Sequence, residues 1–249
     1  MTSKPIFFHK YLLILVLIPF SCFFHPTRAH ADTNPRLFKA VDYAGATLGL
    51  STGTAADEYH FFAQADFQYN LYDWTFYAGA QGTKESGGIT LSVQYWPFTW
   101  EHTRLGPKLI YNLDIYSDIS ITNNILPGIT FECQPVSWFS FSIDTFYLFK
   151  GRYIYALEDE GFVPVNTFAY SQHLNFYLLC NITLTQYVAT YSTFRYTQPA
   201  DLEIGLKVSW DMNQSWRFTA EAVSRQIIYY LFTTAFTAGE FKLGARYIF

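Results

Sequence analysis

From about residue 38 onward, apolar and polar side chains alternate with a period of two, in segments of roughly ten residues separated by short polar or Gly/Asn/Pro-containing breaks. Residues two apart on a strand share a face, so this pattern predicts β-strands with one apolar and one polar side. The stretch 202–211 is the clearest: Leu202, Ile204, Leu206, Val208 and Trp210 share one face, and Glu203, Gly205, Lys207, Ser209 and Asp211 the other. A second runs over 61–71, with Phe61, Ala63, Ala65, Phe67, Tyr69 and Leu71 opposite Phe62, Gln64, Asp66, Gln68 and Asn70. Repeating the count predicts twelve strands, at 38–50, 60–71, 74–83, 89–97, 105–117, 124–134, 139–150, 167–182, 186–197, 202–211, 216–228 and 241–249. The fold class that follows is all-β, a transmembrane antiparallel β-barrel of about 12 strands, with 8 to 14 admissible, and both termini periplasmic.

Alternation also occurs in soluble sandwiches, so the tryptophans and the connections must place the strands in lipid. With both termini on one side, the turns after every second strand lie on that side too. Trp74, Trp96, Trp100, Trp138, Trp210 and Trp216 all fall at or beside those turns. An indole ring is half apolar with one N–H that stays wet, which suits a membrane–water interface and makes these six the expected interface aromatics. The connections on the same side, Tyr72-Asp73, Leu184-Thr185 and Met212 to Ser215, are short, with 98–104 the exception. Those on the other side, 51–59, 151–166 and 229–240, are long. Short periplasmic turns and long outer loops are the asymmetry of transmembrane barrels.

The first segment reads as an address. Lys4 and Lys10 make a basic start, Leu12 to Ile18 an apolar middle, and Ala29-His30-Ala31 a small-x-small cleavage site. Residues 1–31 are expected to be a cleaved secretory signal peptide and 32–249 the barrel domain. Cys22 reads as an ordinary residue of the discarded segment, and the apolar run Tyr11 to Phe24 is too short to span a bilayer as a helix. Composition agrees: the chain is 20% aromatic and only 14% charged, with a formal charge of -4, which excludes a disordered or nucleic-acid-binding protein.

The last strand alternates to its end, with Phe241, Leu243, Ala245, Tyr247 and Phe249 on one face and Lys242, Gly244 and Arg246 between them. This resembles the C-terminal insertion signal of bacterial outer-membrane β-barrel proteins, carried here by Tyr247 and Phe249. The resemblance implies integral residence in the outer membrane, with its lipids and the barrel-assembly machinery as partners. In size and strand number the chain is similar to the small channels for acidic sugars and oligosaccharides, without a motif that carries over their substrate.

With the apolar face in lipid, the polar face lines the interior. The last four predicted strands place Arg195, Lys207, Arg217, Arg225, Lys242 and Arg246 inward, with Glu203, Asp211 and Glu221. Strands across the barrel contribute Asp66, Asp114, Glu132 and Asp144, with Lys150 near an outer end. A basic wall facing an acidic one would set a transverse field that favours polar solutes able to align with it. The competing expectation is a bore filled by closed ion pairs, such as Glu221 between Arg217 and Arg225.

Ser171, His173 and Asn175 share the inward face of one strand and form a weak hydrolase candidate. They resemble the His-x-Ser pair of outer-membrane phospholipase A and lipid A deacylase in reversed order. Acidic outer loops, with Asp57, Glu58 and Glu158-Asp159-Glu160, read as solvated charge. Cys133 and Cys180 fall on non-neighbouring strands, both on the lipid face, too far apart for a disulfide. No Cys/His metal cluster or phosphate-binding Gly loop is present in the sequence, so no cofactor is expected. The function predicted is a porin-like channel for passive diffusion of small polar or charged solutes. The alternatives are a closed surface or structural barrel acting through its outer loops, and a lipid-modifying hydrolase.

Overall fold

The computed structural model describes residues 41–52, 59–84, 86–116, 120–154, 163–178, 181–190, 200–228 and 234–249. The expected signal peptide, Asp57, Glu58, Glu158 to Glu160, Cys180 and Arg195 lie outside the described residues. The described chain is all strand and turn: β1 (Tyr43–Thr52), β2 (Tyr59–Leu71), β3 (Trp74–Thr83), β4 (Ser86–Tyr95), β5 (Phe98–Thr99), β6 (Thr103–Tyr116) and β7 (Ser120–Val136). It continues with β8 (Phe139–Ile154), β9 (Val163–Tyr177), β10 (Ile182–Thr190), β11 (Ala200–Asp211), β12 (Trp216–Ile228) and β13 (Thr234–Ile248).

Every strand pairs antiparallel with its chain neighbour, β1 pairs with β13, and β4 pairs with β6 past the two-residue β5. The sheet therefore closes on itself as a twelve-strand barrel, and no long strand is left with an open edge. The alternation decides which face is which. Leu48 is 70% and Phe61 77% exposed on the outside, whereas Asp66, on the other face of β2, is 4% exposed. Apolar side chains turned outward and polar ones turned inward reverse the order of a soluble protein, and that reversal defines a membrane barrel.

The observed strands correct several predicted boundaries. The turn expected at Leu184-Thr185 instead falls between the end of β9 at Tyr177 and the start of β10 at Ile182, and both residues sit inside β10, where Leu184 pairs with Phe176 and Thr185 with Asn175. Asn181 makes the turn by adopting a left-handed backbone (φ 60°), which a short polar side chain tolerates. Alternating hydropathy does not break at so tight a turn, so the period alone could not locate it. The predicted periplasmic stretch 98–104 shrinks because Phe98 and Thr99 pair with Leu105 and Arg104. Two outer connections also shorten: β8 and β9 extend to Ile154 and Val163, and β13 begins at Thr234, so Glu240 lies within a strand rather than a loop.

Twelve strands enclose more space than side chains need to fill, and the interior is unevenly packed. Leu126, Phe146, Leu148 and Ala169 are buried as an apolar cluster on the inner wall of β7 to β9, with Ile110 of β6 against it. On the neighbouring strand β10, Tyr187 lies flat across Gly205, its register partner on β11. A Cβ at Gly205 would stand 2.0 Å from the Tyr187 Cζ, so only glycine lets this ring lie down. Gly205→Ala is expected to lower stability by about 1–3 kcal/mol through overpacking. Urea unfolding of the refolded barrel in detergent micelles checks this, and a midpoint equal to that of the unsubstituted chain would contradict the close packing.

Candidate functional site

The inward face of the barrel carries the polar chemistry, organised as ion pairs between strands one or two apart in the ring. On β2 and β13, Arg246 Nη2 contacts Asp66 Oδ2 at 2.7 Å, and the same guanidinium lies 4.3 Å over the Tyr43 ring of β1. Gly45, between them on β1, makes room, because a Cβ there would meet both Asp66 and Arg246. On β6 and β7, Arg104 binds Glu132 at 2.6 Å and stacks 3.8 Å over the Trp96 ring. One step along, Lys108 binds Asp144 of β8 at 3.1 Å, and Ser171 Oγ of β9 donates to the same carboxylate oxygen at 3.2 Å.

The remaining groups form a connected network on β10 to β13. Tyr187 donates to Glu221 at 2.7 Å and to Glu203 at 3.4 Å. Lys242 bridges Glu221 (3.3 Å) and Glu240 (3.2 Å), and Arg225 bridges Glu240 (2.9 Å) and Glu203 (3.4 Å). Arg217 holds Asp211 with two hydrogen bonds, the longer at 3.0 Å. Lys207 differs from the other described cations of the lining: among the described residues it makes no ion pair or hydrogen bond. Asp114 faces Gly88, its register partner on β4.

This arrangement corrects the expectation of a basic wall opposite an acidic one. Glu132 meets a cation on the adjacent strand, and Asp66 and Asp144 meet cations two strands away, across β1 and β7. Three charged groups that sequence reasoning missed account for much of the difference. Arg104 and Lys108 share the inward face of β6 with Asp114, and the even-numbered alternation of that strand could have found them. Glu240 was hidden by its assignment to a loop.

The aromatic expectation is corrected at one position. Trp74, Trp100, Trp138, Trp210 and Trp216 are 39–57% exposed, in contact with other aromatic rings of the same barrel end, such as Tyr95 for Trp74 and Phe218 for Trp210 and Trp216. Trp96 is only 6% exposed and turns inward. It continues the inward face of Ser92 and Gln94 beyond the end of β4, and Arg104 covers its ring.

Ser171, His173 and Asn175 all point inward, but they do not assemble as a catalytic trio. Ser171 engages Asp144, Asn175 donates to Ser140 (3.2 Å) and accepts from Thr185 (2.8 Å), and the His173 ring lies 5.4 Å from that of Tyr187. Residues two apart on one strand project in parallel, so a nucleophile and its base are not brought together this way. Cys133 has a free thiol and lies on the outward face of β7.

Two spaces that share lining residues remain inside. A cavity of about 1320 Å³ opens at the end that holds Asp42, Asn213 and Phe249, and is lined deeper in by His173, Tyr187 and Glu221. A second, of about 610 Å³, lies against β1 to β6. Arg104, Glu132, Lys207, Arg217 and Arg246 line both.

A closed barrel with lipid-facing apolar side chains and a charged, partly open interior is the fold of the bacterial outer-membrane β-barrels. No protein-family model matches the chain, and no curated protein matches its sequence. Solved structures do match in fold. The NanC porin superposes with a TM-score of 0.61 at 10% identity, covering 84% of this chain and 99% of its own. The KdgM porin gives 0.57 at 10% identity, covering 82% and 99%, and the CymD monoaromatic hydrocarbon channel 0.51 at 7% identity, covering 84% and 88%. At such identities the shared property is the fold.

The Asp66–Arg246 pair offers a direct test of the interior electrostatics, because the Asp66 side chain is 1% exposed. Arg246→Met is expected to cost about 3–5 kcal/mol by leaving that carboxylate buried and unpaired, and adding Asp66→Asn to recover much of the loss. Urea unfolding of the single and double variants checks this; an equal loss in both would contradict the pairing.

Proposed function

We propose that this chain is an outer-membrane channel for passive diffusion of small polar or charged solutes. The observation that carries the reading is the 1320 Å³ cavity, open at one end and lined by charged and hydroxyl side chains inside an apolar outer surface. Hydrocarbon leaves such an interior without partners unless water enters, and a water-filled bore of this composition passes solutes that trade hydration for contacts with the wall. The fold shared with proteins named as porins and channels supports the same reading. Lys207, Arg217 and Arg246, where the two cavities meet, are the residues we assign to selectivity, with Glu132 opposing them. Export by the N-terminal segment and insertion through the assembly machinery, guided by Tyr247 and Phe249, belong to the same proposal.

One observation favours a second reading, a barrel closed at one level that acts through its outer loops. The apolar cluster of Leu126, Phe146, Leu148 and Ala169 narrows the inner wall of β7 to β9, and ion pairs tie together strands one or two apart in the ring. A lipid hydrolase finds less support, since Ser171 and Asn175 are committed to Asp144 and Ser140.

Proteoliposomes holding the refolded chain are expected to swell in iso-osmotic arabinose and not in stachyose, because the narrow interior admits one and excludes the other. Swelling in neither sugar would favour the closed barrel. Phospholipid hydrolysis that disappears in both Ser171→Ala and His173→Ala would establish the enzyme instead.

A further inference from the structure

The smaller cavity against β1 to β6 has features that a uniform water-filled bore does not need. Five cations, Arg104, Lys108, Lys207, Arg217 and Arg246, line it, against one carboxylate, Glu132. Four of the five are held by acids: Arg104 by Glu132, Lys108 by Asp144, Arg217 by Asp211 and Arg246 by Asp66. The fifth, Lys207, has no such partner among the described residues, and it lines both cavities, so its ammonium stands at their junction.

Two neutral donors on the opposite wall are also unmatched. Gln94 and Trp96 are 7% and 6% exposed, both line this cavity, and neither the Gln94 Nε2 nor the Trp96 Nε1 has a hydrogen-bond partner. The strand order puts β4 and β11 six steps apart in the closed ring of twelve, so these donors and Lys207 approach the chamber from opposite sides. An N–H is satisfied by an acceptor, and a desolvated ammonium best by an acceptor that carries negative charge. Water would serve the two neutral donors, but Lys207 has no directly bonded counter-charge, since Glu221, its register partner on β12, is bound to Tyr187 and Lys242.

We propose that this chamber is a binding site for a small oxyanion, a phosphate or carboxylate group, held between Lys207 on one side and Gln94 and Trp96 on the other. An oxyanion supplies several acceptor lone pairs and the missing charge at once, and charge-assisted hydrogen bonds are the strongest available in such a place. Arg104 and Arg246, already stacked on Trp96 and Tyr43 and paired to carboxylates, stay fixed and shape the field around the ligand. The site deepens the channel reading by naming the chemical class of the solute, and it rests on that reading only for the route by which the solute arrives.

Equilibrium dialysis of the refolded chain in detergent, at low ionic strength, against inorganic phosphate and separately against succinate tests the site. Saturable binding of at least one of the two is expected, competed by the other if both share the site. Lys207→Gln should weaken it by about tenfold or more, and Trp96→Phe, which keeps an aromatic ring for Arg104 to stack on and removes the N–H donor, by a few-fold. If Lys207→Gln fails to refold, Trp96→Phe and Gln94→Leu carry the test. No saturable binding of either anion, or binding unchanged in every folded variant, would overturn the proposal. A barrel that conducts but binds neither anion loses this site and keeps the channel reading; one that binds phosphate but never conducts loses the channel reading and keeps the site.

Discussion

The hydrogen-bonded seam between β1 and β13, which joins Tyr43 to Ile248 at one end and Thr52 to Gly239 at the other, is the constraint on which the rest of the structure depends. A strand edge in hydrocarbon leaves unpaired N–H and C=O groups that cost several kcal/mol each, so a sheet can enter a membrane only if it closes. Closure fixes the strand number, and with it the width of the interior and the separation of an apolar outside from a polar inside. The β4–β6 pairing completes the ring past β5, so the last open edge is also satisfied.

Once the ring is closed, the interior must solve its own electrostatics. Charged groups inside a low-dielectric wall require partners or water, and the chain supplies many of the partners. Glu132 finds its cation on the adjacent strand, and Asp66 and Asp144 find theirs two strands away, reaching past Gly45 of β1 and past β7. The tyrosine across Gly205 links Glu203 and Glu221 into the cation network of β12 and β13. These pairs hold the bore in one shape while leaving an open space beside them, which is what a permeation path requires.

Much of this was legible in the sequence. The period of two in 61–71 and 202–211 assigns the inward and outward faces that Asp66 and Lys207 take, because a strand in lipid has no other way to arrange them. What was not legible depends on contacts between strands. Alternation cannot reveal that Asn181 takes a left-handed backbone and turns the chain three residues early. It places Trp96 inward with Ser92 and Gln94 but cannot say that Arg104 covers the ring there, since that contact depends on the β4–β6 pairing. The pairing of walls was hidden for the same reason: which carboxylate meets which cation is set by register, and register is set by turns and closure.

As a channel, the closed barrel must contain a continuous, water-filled path. Single-channel recording of the refolded chain in a planar bilayer, under a salt gradient, tests it most directly. Discrete conductance steps, with a reversal potential that moves toward cation preference when Lys207 and Arg217 are both replaced by Gln, are the predicted result. A stably folded barrel that inserts and stays silent would contradict it.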